Sequence, residues 1–173
     1  MIYVFFIIFI IIHNMSNQLV YTRSDDDLIL AREQYLLLWK ISWISLFSCA
    51  FAIYRGYYDL ACVPGGVWLT SINYWRRPDY SWRRYMDISY VHLSLIYQII
   101  RAYHMQYAKP YYVIVTIGVV CFPISIYFHI TKNQWLSTVM HCMVHIFGNI
   151  SNFVLYSGFD SKISNEWYTP LNV

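Results

Sequence analysis

Apolar segments of helical length alternate with short polar connections over most of the chain. A helix needs about 20 mainly apolar residues to cross the hydrocarbon core of a bilayer. Because the connections are short, consecutive helices should be antiparallel neighbours. The pattern predicts an all-α fold, a polytopic membrane helix bundle with about five transmembrane helices, over residues 35–54, 59–75, 85–103, 111–130 and 135–156.

Two shorter regions flank the predicted bundle of residues 35–156. Residues 1–34 combine an apolar stretch with a polar and acidic segment, and residues 157–173 form a polar tail that we expect to be exposed. Residues 1–12 are too short to cross a bilayer, and no basic segment precedes them as it would in a secretory signal peptide. Met15 is an alternative start of the protein.

Local signals predict one helix start and one irregular helix. Ser24 precedes three aspartates, a composition typical of a helix N-terminus, and predicts a helix that continues through residues 28–33 towards the membrane. In the second predicted span, Pro64, Gly65 and Gly66 follow one another, which predicts a kink or a break.

Composition supports a membrane protein and argues against other classes. The chain of 173 residues is 58% hydrophobic, 20% aromatic and only 12% charged. An ordinary soluble domain carries about 25% charged residues. The net charge is only +3 and the arginines lie beside apolar segments, so no soluble surface remains for nucleic acid. The expected partner is the lipid bilayer, with a lipid as the expected substrate class of any enzyme.

Basic residues are distributed unequally over the two ends of the predicted helices. Four of the 12 Lys and Arg residues lie at one end, and eight lie at the end that includes the twice-occurring Trp-Arg-Arg: Arg23, Arg32, Lys40, Arg76, Arg77, Arg83, Arg84 and Lys132. Cytoplasmic loops carry the excess of Lys and Arg, and tryptophan favours the membrane interface. This distribution predicts a multi-pass protein with a cytoplasmic N-terminus.

Asp87 lies about one turn inside the third predicted span, directly after the second Trp-Arg-Arg. A carboxylate inside the membrane costs a few kcal/mol unless it is paired, so such an acid is a functional candidate. The alternative is structural, because Arg83 or Arg84 can neutralise Asp87 by forming an ion pair.

Further polar residues lie at a similar predicted depth in three different helices: Ser71, His92, His141 and His145. His141 and His145 are four residues apart, which places both imidazoles on one helix face. With His92 as third ligand they would form an open zinc site, whose metal lowers the pKa of bound water to about 7. Asp87 would then orient that water or act as base, and Ser71 would stabilise the oxyanion.

Two other interpretations of the histidines remain open. Haem can be held by one histidine from each of two helices, here His92 with His141 or His145, but this leaves one histidine and Asp87 without a role. Polar residues in membrane helices also bind one another across helices, and Asn149 and Asn152 in the fifth span indicate such structural polarity.

The order of these residues resembles the CREST superfamily of membrane proteins, which includes the alkaline ceramidases and the progestin/adipoQ-type receptors. The resemblance covers about residues 68–150, with Ser71 and Asp87 at the positions of the family's serine and aspartate, and His141 and His145 at its terminal H-x-x-x-H pair. It implies a zinc ion held by three histidines. The family's remaining histidine position, four residues after the serine, is Trp75 here, and this chain offers five helices where the family has seven.

These observations predict two functions. The first is a zinc-dependent intramembrane hydrolase of lipid amides or esters, with Asp87 and Ser71 catalytic and His92, His141 and His145 binding the metal. The second is a non-enzymatic membrane scaffold or assembly subunit, in which buried polar residues hold the helices together.

Overall fold

The computed structural model of the protein describes residues 28–160, and these residues are almost entirely helical. The helices are α1 (Arg32–Ser42), α2 (Ile44–Tyr54), α3 (Tyr58–Trp75), α4 (Trp82–Ala102), α5 (Ala108–Ile130) and α6 (Gln134–Ser157). Only Trp43 separates α1 from α2, so these two form one helical rod and the described chain contains five rods. The prediction of an all-α bundle of five helical segments is confirmed.

Three of these rods are long and apolar enough to cross a membrane: Arg32–Tyr54, Ala108–Ile130 and Gln134–Ser157. The other two, α3 and α4, lie beside each other in the same bundle. A bundle with three such helices is compatible with an integral membrane protein. The end where α1, α4 and α6 begin is called the arginine-rich end below, because it carries Arg76, Arg77, Arg83 and Arg84.

Helix α6 occupies the centre of the bundle, where it contacts α1, α2 and α5. It packs most extensively on α5. The two helices approach closely at Gly118 of α5, where an added Cβ atom would lie 3.2 Å from the Cβ atom of Phe147 on α6. At the arginine-rich end a small core joins α1, α3 and α6 through Leu38, Trp75 and Cys142. A larger core lies at the opposite end and includes Leu60, Tyr111, Leu155 and Tyr156.

The first helix begins later than its sequence predicts. Residues 28–31 are not helical, and α1 begins at Arg32. The N–H of Ile29 donates instead to the carbonyl of Pro78 at 3.1 Å, and the side chain of Gln34 accepts from the N–H of Ala31 at 3.2 Å. A hydrogen bond to the α3–α4 loop, distant in sequence, thus takes the place of the predicted helical turn. Ser24 and the flanking residues 1–27 lie outside the described residues.

Helix α3 continues through Pro64, so of the predicted kink or break the break is wrong and the kink stays a prediction. Proline has no N–H to donate to the carbonyl four residues earlier, which here belongs to Leu60. The hydroxyl of Tyr156 on α6 donates to that carbonyl at 3.3 Å. A side chain from another helix therefore satisfies the oxygen that Pro64 leaves free.

The chain directly after α6 is packed at Gly158 and Asp160, so the prediction of an exposed tail is wrong for these two residues, whereas Phe159 between them is 54% exposed. The Gly158 carbonyl accepts from the Tyr57 hydroxyl at 2.7 Å. Asp160 is only 5% exposed and forms a 2.5 Å ion pair with Arg101, which also binds Asp59 at 2.8 Å. The end of α6 is thereby fixed to α3 and α4.

Candidate functional site

Asp87 is buried between α3 and α4 and is hydrogen-bonded to two hydroxyl groups. Its exposed fraction is 7%, and Oδ1 accepts from the hydroxyls of Ser71 and Thr70, each at 2.7 Å. A buried carboxylate needs such donors, because it has lost its hydration. The structure thus brings together Ser71 and Asp87, as their predicted depth indicated. Thr70 was missed by sequence reasoning, although it directly precedes Ser71.

Neither neighbouring arginine pairs with Asp87, so this structural explanation of the acid is wrong. Arg83 forms its ion pair with Asp79 in the α3–α4 loop, at 2.6 Å. The Arg84 guanidinium lies over the Tyr80 ring, 5.3 Å from its centroid. Within residues 28–160 no salt bridge involves Asp87, and its partners are hydroxyl groups on α3.

His141 and His145 form a second pair, on α6. Their ring centroids are 5.5 Å apart, as the i, i+4 spacing requires. His145 is 9% exposed, and the described part of the chain offers no hydrogen bond to either imidazole. His141 packs edge-on against the Trp75 ring at 5.0 Å, which connects this pair to α3.

Trp75 stands where the resemblance to the CREST superfamily would require a histidine. Its ring contacts His141, and its indole Nε1 is buried without a hydrogen-bond partner among residues 28–160. An indole N–H can donate a hydrogen bond but has no lone pair for a metal ion. The third imidazole of the family is thus replaced by a side chain that cannot coordinate zinc.

His92, the predicted substitute ligand, is held on α4. Its Nδ1 lies 2.6 Å from the Ile88 carbonyl oxygen, and Nδ1 is the donor because a carbonyl can only accept. The Phe122 ring contacts His92 at 6.4 Å and His141 at 5.8 Å between centroids. Residues 28–160 contain no group of three His, Cys, Asp or Glu side chains placed to hold a metal ion. The zinc site and the alternative haem site stay predictions.

One face of α6 carries polar side chains along its entire length, at spacings of three or four residues: Gln134, Thr138, His141, His145, Asn149, Asn152 and Tyr156. This spacing places them on one helix face. We call this set the α6 polar stripe. Both site histidines belong to it.

The α6 polar stripe binds the neighbouring helices. Asn149 accepts from the Ser48 hydroxyl at 2.6 Å and donates to the Ser45 hydroxyl at 3.2 Å, both on α2. Gln98 on α4 donates to Asn152 at 2.5 Å and to the Tyr156 hydroxyl at 3.0 Å. These are interhelical hydrogen bonds of the kind that fix the arrangement of membrane helices.

Comparison with protein-family models, with curated proteins and with solved structures gives no match to this chain. The resemblance to the CREST superfamily therefore stays a prediction from Ser71, Asp87, His141 and His145.

Proposed function

We propose that this protein is a non-enzymatic scaffold or assembly subunit of a membrane, in which buried polar side chains hold the helices in one arrangement. The α6 polar stripe carries this proposal, because its members bind α2, α3 and α4. The Asp87 carboxylate serves the same purpose between α3 and α4, where both of its hydroxyl donors are on α3.

The physical basis is the lack of competing partners in lipid. Lipid tails offer no hydrogen bonds, so a helix that rotates or slides leaves polar groups unpaired. Asn149 has a partner for its carbonyl oxygen and two acceptors for its amide group, since its N–H also reaches the His145 carbonyl at 2.7 Å. A fully satisfied amide at the centre of the bundle favours one packing over its alternatives.

A double-mutant cycle between Asn149 and Ser48 tests this proposal. Stability of Asn149→Ala, Ser48→Ala and the double variant is measured by unfolding in mixed detergent micelles. We expect a coupling free energy of about 0.6–1.7 kcal/mol. Ser151 is the matched control, because its hydroxyl donates only to the Gly148 carbonyl on the same helix. A second cycle measures the coupling free energy between Asn149 and Ser151. If it equals the coupling free energy between Asn149 and Ser48, the proposal is contradicted.

A second candidate function is zinc-dependent hydrolysis of a lipid amide or ester. It is favoured by the adjacent imidazoles of His141 and His145 and by the Ser71–Asp87 pair on the neighbouring helices. Two imidazoles do not complete a zinc site, and the described residues supply no third ligand to them. The residues as placed do not fit a three-histidine zinc centre, so no catalytic step is derived through a metal.

Metal analysis of the purified protein separates the two candidates. The hydrolase requires about one zinc per chain in the wild type and loss of zinc in His141→Ala. The scaffold requires no zinc in either protein. His104→Ala is the control, because His104 lies in the α4–α5 loop at the opposite end of the bundle and should leave the zinc content unchanged.

A further inference from the structure

A groove of about 810 Å³ opens at the arginine-rich end of the bundle, between the start of α1, the α3–α4 loop and the start of α6. It is lined by residues 28–34 together with Arg77, Gln134 and Trp135. We call it the α1–α6 groove. Because α1 and α6 begin there and α3 ends nearby, the groove lies where apolar helices give way to polar chain. In a membrane that level is occupied by lipid headgroups.

The walls of the groove are fixed by specific contacts. The hydrogen bond from Ile29 to Pro78 joins the irregular segment before α1 to the loop that carries Arg77. Gln34, only 3% exposed, closes the turn before α1 through its bond with the Ala31 N–H. Trp135 at the rim is 55% exposed, as expected for an aromatic ring at the membrane interface. The groove is therefore part of the fold.

Two exposed arginines give the groove its charge. Arg32 and Arg77 both line it, and neither takes part in a salt bridge within residues 28–160. Among the described residues that line the groove, Glu33 is the one acid, so these residues carry an excess of positive charge. Arg83, in contrast, is neutralised by Asp79. A guanidinium group binds phosphate oxygens with two parallel N–H bonds, so two of them in one groove favour a phosphate group.

We propose that the α1–α6 groove binds the headgroup of an anionic phospholipid from the surrounding leaflet. The volume is large enough for a whole headgroup, since sites for small molecules occupy about 300–1,000 Å³. Anionic lipids are enriched in the cytoplasmic leaflet, which is the leaflet predicted for the arginine-rich end. The site goes beyond the α6 polar stripe, because it lies outside the bundle core and its ligand enters from the bilayer.

The test measures binding of phosphatidylglycerol and of phosphatidylcholine to the full chain in detergent by native mass spectrometry. The wild type should bind one phosphatidylglycerol in preference to phosphatidylcholine. Arg32→Gln and Arg77→Gln should each weaken that binding by about tenfold or more, the loss expected for one charge-assisted contact. Arg76→Gln is the matched control, because Arg76 is exposed in the same loop but does not line the groove.

Several outcomes would overturn the proposal. Equal losses in all three arginine variants would indicate diffuse attraction to a basic end, and no preference for phosphatidylglycerol would exclude an anion site. Displacement of the lipid by millimolar inorganic phosphate would identify a site for free phosphate. Binding that occurs only after Asp25, Asp26 and Asp27 are replaced by asparagine would identify the chain's own acids as the occupant.

Discussion

The hydroxyl of Tyr156 on α6 donates a hydrogen bond to the carbonyl oxygen of Leu60 on α3, at 3.3 Å. That oxygen lacks its usual helical partner because residue 64 is proline. Both residues are fully buried, so water cannot take the place of the hydroxyl group. A proline inside a helix of the bundle is thus accommodated by a side chain that lies almost a hundred residues away in sequence.

Replacement of Tyr156 by phenylalanine should lower the free energy of unfolding by about 1–2 kcal/mol, since the Leu60 carbonyl and the Gln98 amide each lose a partner. In a Pro64→Ala background the residue 64 N–H can reach the Leu60 carbonyl, so the same replacement should cost less. Denaturation of the four proteins in detergent measures both effects. Equal costs in the two backgrounds would show that Tyr156 does not compensate for Pro64.

Gly66 on α3 lies directly against Tyr90 on α4. A Cβ atom on Gly66 would overlap the ring and the hydroxyl of Tyr90, which donates to the Cys62 carbonyl at 2.7 Å. We expect Gly66→Ala to lower stability by about 1–3 kcal/mol, because the tyrosine must move away from α3. Thermal unfolding in micelles measures the change.

Gly148→Ala is the control for Gly66, because its Cβ atom would meet no described heavy atom within 4 Å. This change should be neutral or stabilising by up to about 1 kcal/mol. In a Tyr90→Ala background the cost of Gly66→Ala should largely disappear. If Gly66→Ala lowers stability equally in the Tyr90→Ala background, the loss does not arise from overlap with Tyr90.

Replacement of Asp87 distinguishes a structural carboxylate from a catalytic one. If Asp87 holds α3 against α4, Asp87→Ala leaves the Ser71 hydroxyl without its acceptor, while Thr70 keeps the Val67 carbonyl at 3.3 Å, and should cost about 1–3 kcal/mol. Loss of a catalytic acid, in contrast, commonly leaves stability unchanged or raises it. Ser89→Ala, an exposed position on the same helix, is the reference and should have no measurable effect.

The Asp79–Arg83 ion pair predicts a pH dependence of stability. Partial burial opposes ionisation of Asp79, but hydrogen bonds from Ser81 and Arg83 and the charge of Arg83 outweigh it, and the pKa of Asp79 is lowered. A lowered pKa in the folded protein stabilises it above the unfolded pKa of about 4, and this contribution is lost as pH falls through the folded value.

Wild type should therefore be more stable than Asp79→Asn at pH 7, and the difference should shrink as the pH falls below about 4. Unfolding curves over this range measure it, with Arg83→Gln as the variant that removes the partner. A difference that is independent of pH would show that the asparagine acts through packing or turn geometry.

The five helical segments were predictable because length and apolar composition can be read directly from the sequence. The start of α1 was not, since it depends on a hydrogen bond from Ile29 to Pro78, distant in sequence. The partner of Arg83 was also missed. Asp79 and Asp87 are both four residues from Arg83, and only the folded loop places the Asp79 carboxylate within reach of it.

The candidate site was predicted in part. The i, i+4 spacing predicted that the imidazoles of His141 and His145 are adjacent, because helix geometry alone determines the distance between such positions. Depth in the membrane indicated that Ser71 and Asp87 can meet. Depth does not determine rotation about the helix axis, however, which is why His92 contacts Phe122 and is not placed in a ligand set with the other two imidazoles.

The central position of α6 also has a consequence for biogenesis. This helix is the last of the described helices to leave the ribosome, yet it supplies the partners of Ser48 on α2, Leu60 on α3 and Gln98 on α4. Until α6 inserts, these groups have no such partner within the nascent bundle. The earlier helices therefore form an incompletely paired set until α6, the last of the described helices, is synthesised and supplies these hydrogen-bond partners.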